Sequence, residues 1–181
     1  MDHESSLPTP QPTDETALII LVPEAEPLVH SWRQRFDPSA PVGVPAHVTV
    51  LSPFLDAGQL GPDTMAELRA LFAGHDAFEV QFSGFGRFPG LLYLAPEPAE
   101  PIRTLTEEVV ARWPERPPYG GAYEGITPHL SVCYGLTPEL EAEMNTDVSA
   151  GLPFTSRVTE VHLVVRVGER WRQWESFALR G

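Results

Sequence analysis

The sequence contains no lysine, a single cysteine and no long apolar run. Each absence removes a class of protein. One cysteine, Cys133, excludes an intramolecular disulfide framework and a multi-cysteine zinc site. The longest apolar stretch, residues 17–22, falls far short of the roughly 20 residues a membrane-spanning helix needs. Residues 1–14 are polar and acidic with no apolar centre, unlike a secretory leader, so a cytoplasmic location is expected. Basic residues are also scarce. Twelve arginines stand against 25 acids, a formal charge of -13 over 181 residues. Such a charge excludes extended nonspecific nucleic-acid coating, which requires many neutralised phosphates. It also disfavours anionic membranes. The imbalance is uneven: residues 150–181 carry net +2 and residues 1–149 net -15. The C-terminal segment is therefore a candidate for steering an anion, since net charge does not fix charge distribution.

What is present is an ordinary globular composition, 42% apolar and 20% charged. Residues 1–15 are proline-bearing and polar, and are expected to be a disordered tail. Residues 16–181 are expected to form a single bilobal domain. Within it, 17–22 reads as a strand buried on both faces. Leu28, Trp32 and Phe36 mark a helix opening near Pro27. Residues 47–51 form a second strand, and 62–72 a helix with Met65, Leu68 and Phe72 on one face. Phe78, Val80 and Phe82 alternate as a half-buried strand, and 91–95 is another. A helix over about 99–113 buries Ile102, Leu105, Val109 and Trp113. A Pro/Gly-rich loop, a strand at 129–134 and a helix opening at Thr137 and Pro138 follow. The C-terminus reads as a hairpin turning near Gly168.

Strand, helix, proline-rich loop and histidine-bearing strand occur at 17–51 and again at 91–134, a weak internal repeat. The histidine-bearing segments align as Pro45-Ala46-His47-Val48-Thr49-Val50 and Thr127-Pro128-His129-Leu130-Ser131-Val132. Alternate strand residues share a face, so His47 projects with Thr49, and His129 with Ser131. The same alternation puts Cys133 on the face of His129 and Ser131, as a buried small hydrophobe rather than a nucleophile. The pattern His-x-Ser/Thr is weak alone, and His3-Glu4-Ser5 in the tail matches it too. Its pairing within a repeat is the informative feature.

With these residues in place, the sequence resembles the two-histidine (2H) phosphoesterase superfamily, which includes 2'-5' RNA ligase-like proteins and cyclic nucleotide phosphodiesterases. The resemblance rests on His47-Val48-Thr49-Val50 and His129-Leu130-Ser131-Val132 and covers about residues 17–180. One departure is Ser131, where threonine is commoner; both supply a hydroxyl. The resemblance implies an α+β fold: a bilobal pseudo-symmetric duplication, two mainly antiparallel sheets flanking a central cleft, with helices outside. It implies that His47 and His129 are catalytic, with His47 as acid and His129 as base.

The residue types suit that chemistry. Opening a 2',3'-cyclic phosphodiester to a 2'-phosphate needs one group to activate water and another to protonate the departing oxygen. Imidazoles titrate near ~6.5 and can divide those roles. Thr49 and Ser131 can donate to nonbridging oxygens, where charge builds. No metal-ligand spacing is present, and no metal or cofactor is expected. Tyr119 and Tyr123, in the glycine-rich loop, either stack on a base or anchor the loop. Arg166 either reaches a phosphate or lies on a solvated face. The expected partner is a small cyclic phosphate or an RNA terminus, bound by a monomer. Alternatives are RNA 2'-5' ligation, the reverse chemistry, and a binding module without turnover.

Overall fold

The computed structural model describes residues 9–181. It contains eight strands and four α-helices among those residues. β1 (Thr16–Leu21) leads into α1 (Glu26–Phe36), β2 (His47–Leu51) and α2 (Pro62–Ala73). β3 (Phe78–Phe88), β4 (Leu91–Glu97), α3 (Glu100–Arg112), β5 (Leu130–Tyr134) and α4 (Pro138–Ser149) follow. β6 (Phe154–Val158), β7 (Glu160–Val167) and β8 (Arg170–Ala178) complete the chain.

The strands form two antiparallel four-stranded sheets, ordered β2-β1-β7-β8 and β5-β4-β3-β6. The expected α+β duplication is the fold observed. β2, with its histidine, lies at the edge of one sheet beside β1, and β5 lies at the edge of the other beside β4. β2 and β5 are in contact, so the two motif strands meet where the lobes join. The helices cross that junction: α1 packs on β5, and α3 packs on β2. Thr106 on α3 donates its hydroxyl to the Val50 carbonyl at 2.7 Å, tying the helix to the opposite motif strand. Leu18, Ile20, Phe54 and Phe72 from one lobe join Phe82, Leu92, Leu94 and Ile102 from the other in one apolar core. The lobes therefore share their hydrophobic stabilisation rather than each holding a separate core.

Local sequence explains the elements. β1 is an apolar run, buried from Thr16 through Ile20. α1 and α3 each carry proline in the first turn and a glutamate at its opening, where the missing donor is harmless and the dipole favours negative charge. Thr137 caps α4 by accepting from the Leu140 amide at 3.3 Å. Gly168, at φ 64°, makes the β7–β8 turn as expected.

Several expectations need adjustment. Residues 1–8 of the expected tail lie outside the described residues. Residues 12–15 are tied down: the Pro12, Asp14 and Glu15 carbonyls accept from Gly58, Ala57 and Arg166 amides. Polar composition did not exclude order there, because backbone bonding to neighbouring elements replaces apolar burial. The buried face of α1 is Val29, Trp32 and Arg33, with Leu28 and Phe36 only packed at its margin. β6 was not expected. Its Ser156 is buried against Glu24, which accepts its hydroxyl at 2.9 Å, so a polar residue interrupts the apolar pattern. β3 runs on through Gly84 and Gly86, which look like breakers. A Cβ on Gly86 would overlap the Tyr93 ring, so that glycine makes room for an aromatic rather than ending the strand.

Candidate active site

β2 places His47 and Thr49 on one face, both half-buried between the core residues Val48 and Val50. The approach to β5 repeats the arrangement with His129, Leu130 and Ser131. A narrow crevice of about 20 Å³ is lined by Thr49, Ser52 and Tyr119 together with Thr127 and Pro128. That is room for about one water, and it joins the first motif to the approach of the second.

The two imidazoles are held identically. His47 Nδ1 lies 2.8 Å from the Pro45 carbonyl, and His129 Nδ1 lies 2.8 Å from the Thr127 carbonyl. A carbonyl only accepts, so each Nδ1 carries the proton and donates it. Each Nε2 is left to exchange protons. The acceptor carbonyl is in turn located by the helix before it. Arg33 on α1 donates to the Val44 carbonyl at 3.1 Å, and Glu26 accepts from the Ala46 amide. Arg103 on α3 donates to the Ile126 carbonyl at 3.1 Å and pairs with Glu100. In both lobes the arginine holds the carbonyl three residues before the histidine. The duplication thus extends to positioning side chains that the aligned motifs do not contain.

Electrostatics separate the two histidines. Burial pushes the His47 imidazole down to about 4, opposed by its bond to Pro45; the Arg33 charge lowers it further and Asp37 opposes. The His129 charge also lowers it, the smallest of these contributions. His129 is lowered by burial as well, with its Thr127 bond opposing. Arg33 is itself buried and neutralised by Asp37 at 3.0 Å.

The wall around His129 is aromatic. Phe88 meets it edge-on at 5.1 Å between centroids, Tyr93 lies at 5.3 Å, and Tyr119 at 6.2 Å. Tyr119 occupies the left-handed region at φ 51° and is anchored by its amide to the Ser52 carbonyl at 2.8 Å. The residue is 40% exposed overall, yet it lines the crevice beside Thr49, and burial pushes its phenol up to about 12. Tyr123 meets Tyr119 edge-on at 5.8 Å and is largely exposed.

Of the sequence-selected residues, the structure brings His47, Thr49, His129, Ser131, Tyr119 and Tyr123 together. It does not bring Arg166. Leu21 pairs with His47 at one end of β1, whereas Thr16 pairs with Val165 at the other. At ~3.3 Å per residue, Arg166 is displaced by more than about 15 Å along the sheet. Phe88, Tyr93, Arg33 and Arg103 were not singled out. The alternation that ends β3 at Phe88 was a usable signal; the two arginines carry no local one.

Cys133 is also not on the expected face. Tyr93 pairs with Ser131 but Leu92 pairs with Cys133, a bulge that leaves Val132 unopposed. The extra residue turns Cys133 into the core and reverses the alternation beyond it. Its burial as a small hydrophobe is as expected, and burial raises its thiol. Among the described residues, no cluster of three or more metal-ligating side chains is present, and no helix is long and apolar enough to cross a membrane.

Comparison with known proteins gives concordant matches. The sequence model of the 2'-5' RNA ligase superfamily matches residues 21–170. A Bacillus pumilus (strain SAFR-032) protein named "Putative phosphoesterase" is 23% identical over 168 residues, covering 89% of this chain and 95% of its own. The crystal structure of E. coli LigT in apo form covers 94% of this chain and 100% of its own, at 16% identity and a TM-score of 0.56. The same protein complexed with 3'-AMP gives 16% identity over 94% of this chain and 100% of its own, with a TM-score of 0.59. At these identities the structural likeness shows the fold.

Proposed function

The chain belongs to the 2'-5' RNA ligase superfamily, whose enzymes act on phosphodiesters, and on that premise we propose that its cleft hydrolyses 2',3'-cyclic phosphodiesters to 2'-phosphates. The observation that carries this reading is the matched pair of imidazoles. Each has Nδ1 committed to a carbonyl and Nε2 free. One neutral Nε2 takes a proton from water as the water oxygen bonds phosphorus. The other, protonated at Nε2, gives its proton to the departing 3'-oxygen as that P–O bond breaks. Thr49 and Ser131 donate to the nonbridging oxygens, and no metal enters the scheme. Each proton transfer contributes about 10²–10⁴-fold.

The resemblance assigns His47 as acid and His129 as base. The local environments favour the opposite division in the empty cleft, because His47 is the imidazole driven down to about 4. A bound phosphodiester anion raises both rings by opposite-charge attraction, so the working assignment belongs to the complex. A substrate with a sulfur leaving group identifies the acid, since it needs no protonation. The variant lacking the acid recovers on that substrate and the variant lacking the base does not.

Nucleotide-sized substrates suit the aromatic surround of Tyr119 and Tyr123, whose exposed rings offer faces to a base. The crystallisation of E. coli LigT with 3'-AMP supports the same scale of ligand. The superfamily's description also supports RNA 2'-5' ligation, in which an RNA 5'-hydroxyl replaces water as the group that bonds phosphorus while the same P–O3' bond breaks; incubation with cleaved RNA halves detects it as a 2'-5' joint. Hydrolysis is tested with nucleoside 2',3'-cyclic phosphates, using wild type, His47→Ala and His129→Ala. A large loss in both variants is expected. Equal trace rates in all three proteins refute the reading.

A further inference from the structure

The bulge in β5 has a second consequence. Unbroken alternation puts Cys133 in the cleft and Tyr134 in the opposite layer. The extra residue at Val132 exchanges them. Tyr134 now pairs with Leu91, is 44% exposed, and brings its phenol oxygen to 3.4 Å from Ser131 Oγ. The other lobe offers a counterpart, because Thr49 and Tyr119 line the same crevice. Each motif hydroxyl therefore has a tyrosine beside it, although the two tyrosines come from unrelated places in the chain.

We propose that Tyr134 is a positioning residue for Ser131: its phenol donates to Ser131 Oγ and thereby aims the serine proton at a nonbridging oxygen of the bound phosphate.

A serine hydroxyl has one proton and two lone pairs. Without a donor beside it, the rotor can spend its proton on any nearby acceptor and turn a lone pair toward the anion. A phenol that donates to Oγ occupies one lone pair, so the serine proton is left for the phosphate. The chain of two hydrogen bonds is polarised in one direction by the anion at its end. Arg33, the buried guanidinium among the described residues, is bound to Asp37. The inference rests on the reading that this cleft binds a phosphate ester.

The test is a double-mutant cycle of Tyr134→Phe and Ser131→Ala, read by calorimetric binding of a nucleoside 2'-monophosphate and by kcat/KM on the cyclic phosphate. Each conservative variant leaves the strand's packing in place. Tyr134→Phe weakens binding and kcat/KM by about 3–10-fold, the scale of one neutral hydrogen bond. In the Ser131→Ala background the same change has no further effect, because nothing is left to orient. Equal effects of Tyr134→Phe in both backgrounds overturn the proposal, since the phenol then acts without the serine. No effect of Tyr134→Phe in either also overturns it. Binding and hydrolysis separate the two levels. Coupling in binding without hydrolysis by wild type refutes the proposed reaction while this inference stands. Hydrolysis by wild type without coupling does the reverse.

Discussion

Lowering the pH tests the electrostatic description of His47 directly. In an unfolded chain its imidazole takes a proton near 6.5; in the folded cleft, burial holds that back to about 4. Between these values the unfolded state binds the extra proton and the folded state does not. Stability therefore falls as pH drops from 6.5 toward 4, and His47 contributes its full penalty below that. The difference of 2.5 units at ~1.36 kcal/mol each gives about 3.4 kcal/mol as an upper bound. The ring is half-buried, so solvent reduces this to about 2–3 kcal/mol.

The required control is His47→Asn, whose side-chain amide still reaches the Pro45 carbonyl but does not titrate. Urea denaturation of both proteins from pH 7.5 to 4 isolates the contribution, because every other titrating group is common to the pair. The stability of wild type relative to His47→Asn should drop by about 2–3 kcal/mol across that range. An NMR titration of the imidazole carbons reads the same quantity at the residue. Parallel stability curves, together with an imidazole titrating at or above 6.5, refute the claim that burial dominates this site. A modest upward move of His47 in His129→Asn is a further expectation, because His129 contributes to the lowering.

Other consequences follow from the same geometry. Both imidazoles are lowered in the free protein, so the bell of kcat/KM against pH should centre below pH 6.5; a maximum at or above pH 7 contradicts this. Gly86→Ala forces a Cβ into the Tyr93 ring beside His129, and should cost about 1–3 kcal/mol in denaturation experiments while also reducing turnover. Arg33→Met leaves Asp37 buried without its partner and frees the Val44 carbonyl; a loss of about 3–5 kcal/mol is expected. Arg103→Met removes the equivalent bond from a more exposed arginine and should cost about 1 kcal/mol, with kcat falling more than KM rises.

The parts that the sequence showed were those carried by periodicity. The apolar run of β1, the alternation around His47 and His129, and the caps of α4 are local signals, and they fold as read. The failures share a cause. Cys133 and Tyr134 exchanged faces because a bulge depends on the partner strand β4, and nothing within β5 announces an unpaired residue. Arg33 was not singled out, because its neighbours on the folded chain are Asp37, Ser39 and the Val44 carbonyl, none of which the helix pattern includes. Gly86 looked like a break because the ring it accommodates comes from the next strand. Each misreading concerns a residue whose role is set by a segment that the local pattern does not include.

The repeat was legible as an order of elements and two aligned segments, and its deeper content lies in backbone carbonyls. Val44 and Ile126 share no side-chain chemistry that marks them as equivalent, but both carbonyls accept from an arginine on the preceding helix. The following carbonyls, of Pro45 and Thr127, each accept from a histidine Nδ1. At those four positions the carbonyl, rather than the side chain, makes the contact. A duplicated site can therefore keep its proton geometry while the side chains at the accepting positions differ. The helices that provide the arginines also pack on the opposite lobe's motif strand, α1 on β5 and α3 on β2. A displacement of either helix consequently disturbs one histidine through its carbonyl and the other through its strand. Both imidazoles are therefore held by the same two helices.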